Sequence, residues 1–168
     1  MGEPDGRDRV EGTHLIIREE EYRRMQSLLR RILVEARAKV VFLVDKNGQL
    51  LCSAGDEGEY DTTALGSLAA GNIAASGGLA RLIGEKEFSI LFHQGEHDNM
   101  HISLIADRVI LVVIFDVTTP VGLVRLKVSR VSGEISDLIR TVEEKMKEAE
   151  SGDLFEEITD EDIDKLFK

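Results

Sequence analysis

Three of the four histidines are evenly spaced, and they form the first arrangement in the chain that could support chemistry. His93, His97 and His101 recur every four residues, which on a helix would stack three imidazoles as zinc ligands. Gly95 and the pair Asp98-Asn99 interrupt any helix there, so a hairpin with His97 at its turn is predicted. His93 and His101 could then face each other across the hairpin. A zinc site would need three converging ligands with supporting hydrogen bonds, so solvent-exposed turn histidines are the favoured interpretation.

The cysteine, glycines and serines of the chain do not form any of the catalytic or phosphate-binding motifs known for these residue types. Cys52 is the single cysteine, which excludes an internal disulfide or a thiolate metal cage, and we expect it to be a small strand residue. No phosphate-binding loop of the G-x-x-x-x-G-K-[ST] or G-x-G-x-x-G type follows a strand, and no serine lies in a nucleophile elbow. The sequence therefore predicts no catalytic residue, no metal and no cofactor, and an enzyme is the least favoured class.

Composition and charge narrow the choice of partner. With 168 residues, 42% of them hydrophobic, the chain suits one domain with one sizeable core. The net charge of −11 and the 5% aromatic content argue against nucleic-acid binding through a basic surface or through base stacking. No apolar run approaches the ~20 residues that span a bilayer. The first residues lack a signal-peptide pattern, so export is not expected.

Hydrophobic periodicity and turn residues predict the order helix, two strands, helix, three strands, helix. The first hairpin turns at Asp45-Lys46-Asn47-Gly48, where asparagine and glycine tolerate a positive φ. Antiparallel hairpins backed by helices give an α+β layer fold. The predicted helices are residues 19–37, 63–83 and 122–148, and the predicted strands are residues 39–44, 49–53, 88–92, 100–105 and 109–115.

The second predicted helix carries an unusual number of glycines. A glycine inside a helix costs up to ~1 kcal/mol relative to alanine, and Gly71, Gly77 and Gly78 all lie there. We expect the leucine side to pack on the sheet, so that the small residues point outward as a flat surface for another backbone. Crowding of the helix against its own sheet is the alternative. The expected core side is Leu65, Leu68, Asn72, Ala75, Leu79 and Leu82, and the expected outward side is Ser67, Gly71, Ala74, Gly78 and Arg81.

Both ends of the chain differ from the predicted domain, which comprises residues 19–148. Residues 1–18 are predicted to be a flexible leader, and residues 149–168 an acidic tail. From Glu150 onward, two basic and eight acidic residues give a charge of 2 − 8 = −6. A pattern like a capping box precedes three apolar anchors at helical spacing, which are Ile163, Leu166 and Phe167. The tail is either a short docking helix that orders on binding or a solubilising segment.

Several separated segments of the chain resemble one known family. They are Val40-Val41-Phe42-Leu43-Val44-Asp45-Lys46-Asn47-Gly48-Gln49-Leu50, Ala70-Gly71-Asn72-Ile73-Ala74-Ala75, Phe92-His93-Gln94-Gly95 and Val113-Ile114-Phe115-Asp116. In this order and spacing they resemble the roadblock family of dynein light chain-like proteins, and within it the bacterial MglB proteins. The segments Ala80–Glu85 and Asp160–Phe167 resemble some MglB members as well. The similarity extends over about residues 15–168.

The resemblance implies a roadblock fold of order α-β-β-α-β-β-β-α with a five-stranded antiparallel sheet. It also implies a homodimer, in which the third strands and second helices pair across the two-fold axis and extend the sheet. In the family, the paired helices bind a Ras-like small GTPase of the MglA type and accelerate its GTP hydrolysis in cell polarity and motility. The implied GTPase-binding residues are Arg24, Ser67, Ala70, Gly71, Ala74, Gly77, Gly78 and Arg81.

The resemblance favours activation that reorganises residues of the GTPase itself over an inserted arginine finger, so it implies no catalytic residue. The implied location is the cytoplasm, with a cell pole left open. Two other functions also stay open: a roadblock scaffold that does not activate the GTPase, and stimulation of nucleotide exchange involving the tail.

Overall fold

Between residues 14 and 156, three helices and five strands follow one another in the predicted order α-β-β-α-β-β-β-α. The structure is a computed structural model that describes residues 14–156, 165 and 166. The helices are α1 (Glu19–Glu35), α2 (Thr62–Leu82) and α3 (Val121–Glu156), and the strands are β1 (Val40–Asp45), β2 (Leu50–Gly55), β3 (Ile90–Gln94), β4 (Asp98–Ile105) and β5 (Val109–Asp116). A short 3₁₀ turn, Glu57–Glu59, leads into α2. No helix in the described ranges has the length and apolar character needed to cross a membrane.

The five strands form one antiparallel sheet in the order β2-β1-β5-β4-β3. The central strands β1 and β5 are buried along almost their whole length, which explains their uninterrupted apolar sequences. The strand β3 lies at one edge and pairs only with β4 among the described strands. The other edge of β3 therefore presents free backbone groups that could pair with another strand.

Two apolar clusters cover the two faces of the sheet. On one face, α1 and α3 pack through Met25, Leu29 and Ile135 onto inward side chains such as Val113. On the other face, α2 packs alone through Ala69, Ala70 and Ile73. The sheet therefore separates α1 and α3 from α2, and this separation decides which predicted site residues can act together.

The turn between β1 and β2 fixes the start of α2. Asp45 Oδ1 accepts hydrogen bonds from the backbone N–H groups of Asn47 at 2.9 Å and Gln49 at 3.0 Å. Gly48 has a φ of +87°, and a Cβ there would lie 2.7 Å from Cα of Ser67. A Cβ on Gly66 would lie 2.8 Å from Cγ1 of Val44. Glycine at both positions lets the helix backbone approach the turn closely.

Several element boundaries differ from the prediction. Helix α1 ends at Glu35 rather than Arg37, because Arg37 adopts a φ of +52°, outside the helical region. The strand β3 begins at Ile90 rather than Phe88. Helix α3 continues to Glu156, beyond the predicted end at residue 148, so the predicted start of the tail at residue 149 falls within this helix. The predicted leader lies outside the described residues up to residue 13.

Candidate functional site

Helix α2 is anchored at both ends by local signals in the sequence. At its start, Asp61 Oδ1 accepts a hydrogen bond from the Ala64 backbone N–H at 3.0 Å, as an N-cap residue does. At its end, Gly84 has a φ of +82°, and the N–H of Glu85 donates to the carbonyl of Ala80 at 2.9 Å. This C-terminal glycine cap stops the helix at the predicted position.

The predicted core side of α2 is wrong, although most of the predicted outward side is exposed. Leu65 is half-buried against the cluster beneath the helix, but Leu68, Leu79 and Leu82 are exposed. The buried residues are instead Gly66, Ala69, Ala70, Ile73, Ser76 and Ala80. The reason lies in the sheet, whose surface beneath the helix is already filled by bulky side chains such as Phe42 and Val112. Most of the helix residues that pack closely on that surface are small, with Ile73 as a larger one among them. Leu68, Leu79 and Leu82 are consequently turned away from the sheet.

One exposed side of α2 is a leucine strip, which consists of Leu68, Leu79, Leu82 and Ile83. These side chains are 72%, 60%, 84% and 69% exposed, respectively. Asn72 lies on the same side, and its Nδ2 is 2.9 Å from Nε2 of His93 on β3. The leucine strip is therefore continuous with the open sheet edge at β3. Exposed apolar side chains along one side of a helix are typical of a protein-protein contact.

A second exposed side of α2 is a small-residue strip, which consists of Ser67, Gly71, Ala74, Gly78 and Arg81. Gly78 is half-buried and the other four are exposed. A Cβ built on Gly71, Gly77 or Gly78 meets no other part of the chain within 4 Å, so crowding against the sheet does not explain these glycines. Of the other predicted contact residues, Gly77 is half-buried, whereas Ala70 is 7% exposed and packs on the sheet.

A groove of about 390 Å³ runs beside the small-residue strip. Ala74, Gly77 and Arg81 line one side, and the turns of the sheet line the other. There, Lys46 Nζ lies 2.5 Å from Asp107 Oδ1 and joins the β1–β2 turn to the β4–β5 turn. The groove combines charged side chains with a flat helix surface, so it suits an extended polar segment of a partner protein.

Arg24 does not join this surface. It lies on α1, next to Met25, which packs into the apolar cluster on the opposite face of the sheet from α2. Arg24 is exposed, so it is free to meet a partner, but not beside the small-residue strip of the same chain. The sequence could not reveal this, because the spacing along the chain does not say on which face of the sheet each helix packs.

The histidines do not converge. The register pairs His93 with Met100 and His101 with Phe92, so the predicted facing of His93 and His101 is wrong by one residue. A shift of one residue places two side chains on opposite faces of a sheet, so His93 points toward α2 and His101 toward α3. Within the described ranges, no three histidine, cysteine or acidic side chains are grouped as metal ligands.

Cys52 is a buried strand residue, as predicted. Burial in apolar surroundings raises the pKa of its thiol to about 11, which keeps it protonated and unreactive near neutral pH. Of the three predicted tail anchors, Leu166 is helical and 80% exposed. Ile163 and Phe167 lie outside the described residues.

Comparison with known proteins agrees with this architecture. A family model of the Roadblock/LC7 domain matches residues 25–115, from the middle of α1 almost to the end of β5. The chain belongs to the Roadblock/LC7 family. This match covers more than half of the chain and confirms the resemblance and the fold expected from the sequence. A comparison with curated protein sequences gave no match.

Among solved structures, this roadblock domain is similar to MglB proteins. Myxococcus xanthus MglB is 49% identical, with a TM-score of 0.72, and the match covers 76% of this chain and 96% of that one. The gliding protein MglB from Thermus thermophilus is 30% identical, with the same TM-score and coverage. A further structure, described as MglB with tetrameric arrangement, is 29% identical over the same shares.

Proposed function

We propose that this roadblock protein is a homodimeric activator of a Ras-like bacterial GTPase of the MglA type. In this role it would act in the cytoplasm in cell polarity and motility, without a catalytic centre of its own. The observation that carries the proposal is the surface of α2, where a small-residue strip and a leucine strip lie exposed side by side. The similarity to MglB proteins, one of them described as a gliding protein, supports the choice of GTPase.

The leucine strip and β3 form the contact between the two copies in this proposal. Ile90 on β3 is 54% exposed, at the edge to which the leucine strip is joined through Asn72 and His93. Pairing of two β3 strands would satisfy the free backbone groups of both sheet edges. The same two-fold operation would bring the leucine strips of both copies together. Such a contact is isologous, because each copy contributes the same surface.

The small-residue strip forms the GTPase contact. Once two α2 helices are paired through their leucines, both small-residue strips remain on the outside of the pair. Glycine and alanine there present little more than backbone, so a switch loop of the GTPase could approach the helices closely. Arg81 lies at the end of the strip and borders the adjacent groove, where it could bind acidic groups of such a loop.

Activation then needs no side chain of this protein in the GTPase active site. A surface accelerates hydrolysis when it binds the hydrolysis-ready switch conformation more tightly than the other conformations. A tenfold preference corresponds to about 1.4 kcal/mol, which a few well-packed contacts can supply. The activator therefore acts as a template for residues that the GTPase already contains.

Single-turnover GTP hydrolysis by an MglA-type GTPase, with and without the full chain, tests this function. The expected result is a hydrolysis rate that rises with the concentration of this protein until it saturates. The rate of nucleotide release is expected to stay unchanged. Binding without acceleration would instead indicate a scaffold. Faster nucleotide release without faster hydrolysis would indicate an exchange stimulator, and both of these results contradict the proposal.

A further inference from the structure

A second groove lies on the other face of the sheet, between β4 and the first half of α3. Its volume is about 630 Å³, and we call it the serine groove. His101 and Ser103 of β4 form its floor, and α3 forms its wall. The residues of that wall are Arg125, Val128, Ser129 and Ser132. The GTPase contact proposed above lies on the opposite face of the sheet, which α2 covers, whereas Ile90 of the proposed dimer contact borders this groove.

The floor of the serine groove carries polar groups without a hydrogen-bond partner among the described residues. His101 is 1% exposed and Ser103 is 5% exposed. Within that part of the chain, both ring nitrogens of His101 and the Ser103 hydroxyl are unpaired. Buried polar atoms are almost always paired, and leaving one unpaired costs about 1–3 kcal/mol. Two adjacent unpaired side chains at the base of one groove therefore point to a bound group that completes them.

The walls of the serine groove indicate the charge of that group. The chain carries a net charge of −11, yet no aspartate or glutamate of the described residues lines this groove. Its charged side chain is the exposed Arg125, and Ser89 and Ser129 add exposed hydroxyls, whereas the Ser132 hydroxyl already donates to the Val128 carbonyl at 2.7 Å. Much of the remaining lining is apolar, and its polar part, one guanidinium and hydroxyls without a carboxylate, suits an anion.

The histidine distinguishes between kinds of anion. Burial and the charge of Arg125 lower the pKa of His101 to about 4, so the ring is neutral near pH 7. A neutral imidazole has one donor nitrogen, and the Ser103 hydroxyl and the Arg125 guanidinium add donors in other directions. A planar carboxylate offers two oxygens to these three groups. A tetrahedral phosphate offers at least three acceptor oxygens, one for each of His101, Ser103 and Arg125.

We propose that the serine groove binds a phosphate group, either free or in a small phosphate monoester, through His101, Ser103 and Arg125. The ring of His101 is sealed from solvent, so the ligand reaches it only when a wall side chain moves. Arg125 is the long and exposed member of that wall, and its guanidinium can follow the incoming charge. No covalent step is involved, and the bound group completes hydrogen bonds that the chain alone leaves open.

Histidine ring ¹⁵N NMR on the full chain tests this proposal. Sodium phosphate, glycerol phosphate and sodium acetate are titrated separately near pH 7, at an ionic strength held constant with sodium chloride. The expected result is a saturable shift of the His101 ring signals with phosphate or glycerol phosphate, and none with acetate. The tighter of the two phosphate compounds identifies the free or the esterified form as the ligand. The exposed His97 serves as an internal control that does not shift.

Two matched variants separate a built site from general charge attraction. Arg125→Gln removes the wall guanidinium, whereas Arg130→Gln removes an exposed arginine of the same helix that does not line the groove. Binding at least tenfold weaker in Arg125→Gln, with unchanged binding in Arg130→Gln, supports the proposal. Equal losses in both variants, or no saturable His101 shift, would overturn it. So would a His101 shift that follows protein concentration instead of phosphate, because a second copy of the chain would then fill the groove.

Discussion

At the scale of single residues, the glycines of α2 are of two kinds. Gly66 is required by packing, since a Cβ there would lie 2.8 Å from Val44 Cγ1 and 3.1 Å from the Gly48 carbonyl oxygen. Gly71 and Gly78 are not, since a Cβ there meets nothing within 4 Å. The sequence shows both kinds as helix-weakening residues, and only the position of the neighbouring turn distinguishes them.

Alanine substitutions should therefore have opposite effects on stability. Gly66→Ala is expected to lower the free energy of unfolding by about 1 kcal/mol or more, because the stiff Val44 side chain and a backbone carbonyl must move. Gly78→Ala is expected to raise it by about 0.5–1 kcal/mol, because alanine favours the helix. Urea denaturation measures the free energy of unfolding of both variants and of the parent. A Gly78→Ala variant less stable than the parent would show that a contact occupies this position.

The buried His101 should make folding sensitive to acid. Its pKa is about 4 in the folded chain and about 6.5 when unfolded, so the unfolded state binds more protons between these values. The contribution of His101 to stability is complete above pH 6.5 and falls as the pH drops toward 4, by up to about 1.4 kcal/mol per pH unit.

Replacing His101 with phenylalanine removes this dependence, because no group remains to be protonated. The loss of stability between pH 7 and pH 4.5, measured by urea denaturation at each pH, should be smaller in His101→Phe than in the parent. His97→Phe is the matched control, since His97 is exposed at the hairpin turn and should leave the loss unchanged. If the parent and both variants lost the same stability between pH 7 and pH 4.5, His101 would not be the source of the acid sensitivity.

At the scale of elements, the order and type of the helices and strands could be predicted from the sequence, but the rotation of α2 could not. Its leucines and its alanines both recur at helical spacing, so periodicity alone allows either side to be the core. The larger side chains are the ones expected in the core. The choice is made by bulky sheet residues such as Phe42 and Val112, against which the helix side that carries Ala70 and Ile73 packs. The face on which each helix packs, and hence the isolation of Arg24, also depends on tertiary structure.

The rotation of α2 leads to a test of the dimer. Light scattering at micromolar concentration should give twice the chain mass of 18.7 kDa for the parent, and a mass near 18.7 kDa for Leu79→Glu. A charge in the centre of a desolvated leucine contact is costly when unpaired. The control is Leu126→Glu on α3, where the leucine is also exposed, at 48%, but lies outside the leucine strip. A parent that is monomeric, or an unaffected Leu79→Glu variant, would contradict the proposed contact.

At the scale of the whole molecule, the sheet divides the chain into a face with α2 and a face with α1 and α3. The proposed partners meet the first face, and the serine groove opens on the second. The strongly acidic end of the chain follows α3, which continues to Glu156. A deletion intended to probe the tail must therefore start after this helix.

Removing residues 157–168 should leave the dimer intact and change the interaction with the GTPase. The reason is that the deleted acidic residues would steer the tail toward a basic surface, with Ile163, Leu166 and Phe167 as anchors. The expected effect on affinity is larger at low salt, where charges are screened less. Titration of the GTPase with the parent and with the shortened chain, at two salt concentrations, measures this change in affinity. Unchanged affinity, hydrolysis and nucleotide exchange would show that the tail only promotes solubility.

The central claim is that the small-residue strip of α2 is the surface that activates the GTPase. It is tested most directly by single-turnover GTP hydrolysis in the presence of Ala74→Arg, Gly78→Arg and the control Gly133→Arg, whose position on α3 is equally open. We predict that both α2 variants remain dimeric and lose the acceleration, because a long charged side chain blocks close approach. Gly133→Arg should accelerate hydrolysis like the parent. Full acceleration by folded Ala74→Arg and Gly78→Arg dimers would contradict the account.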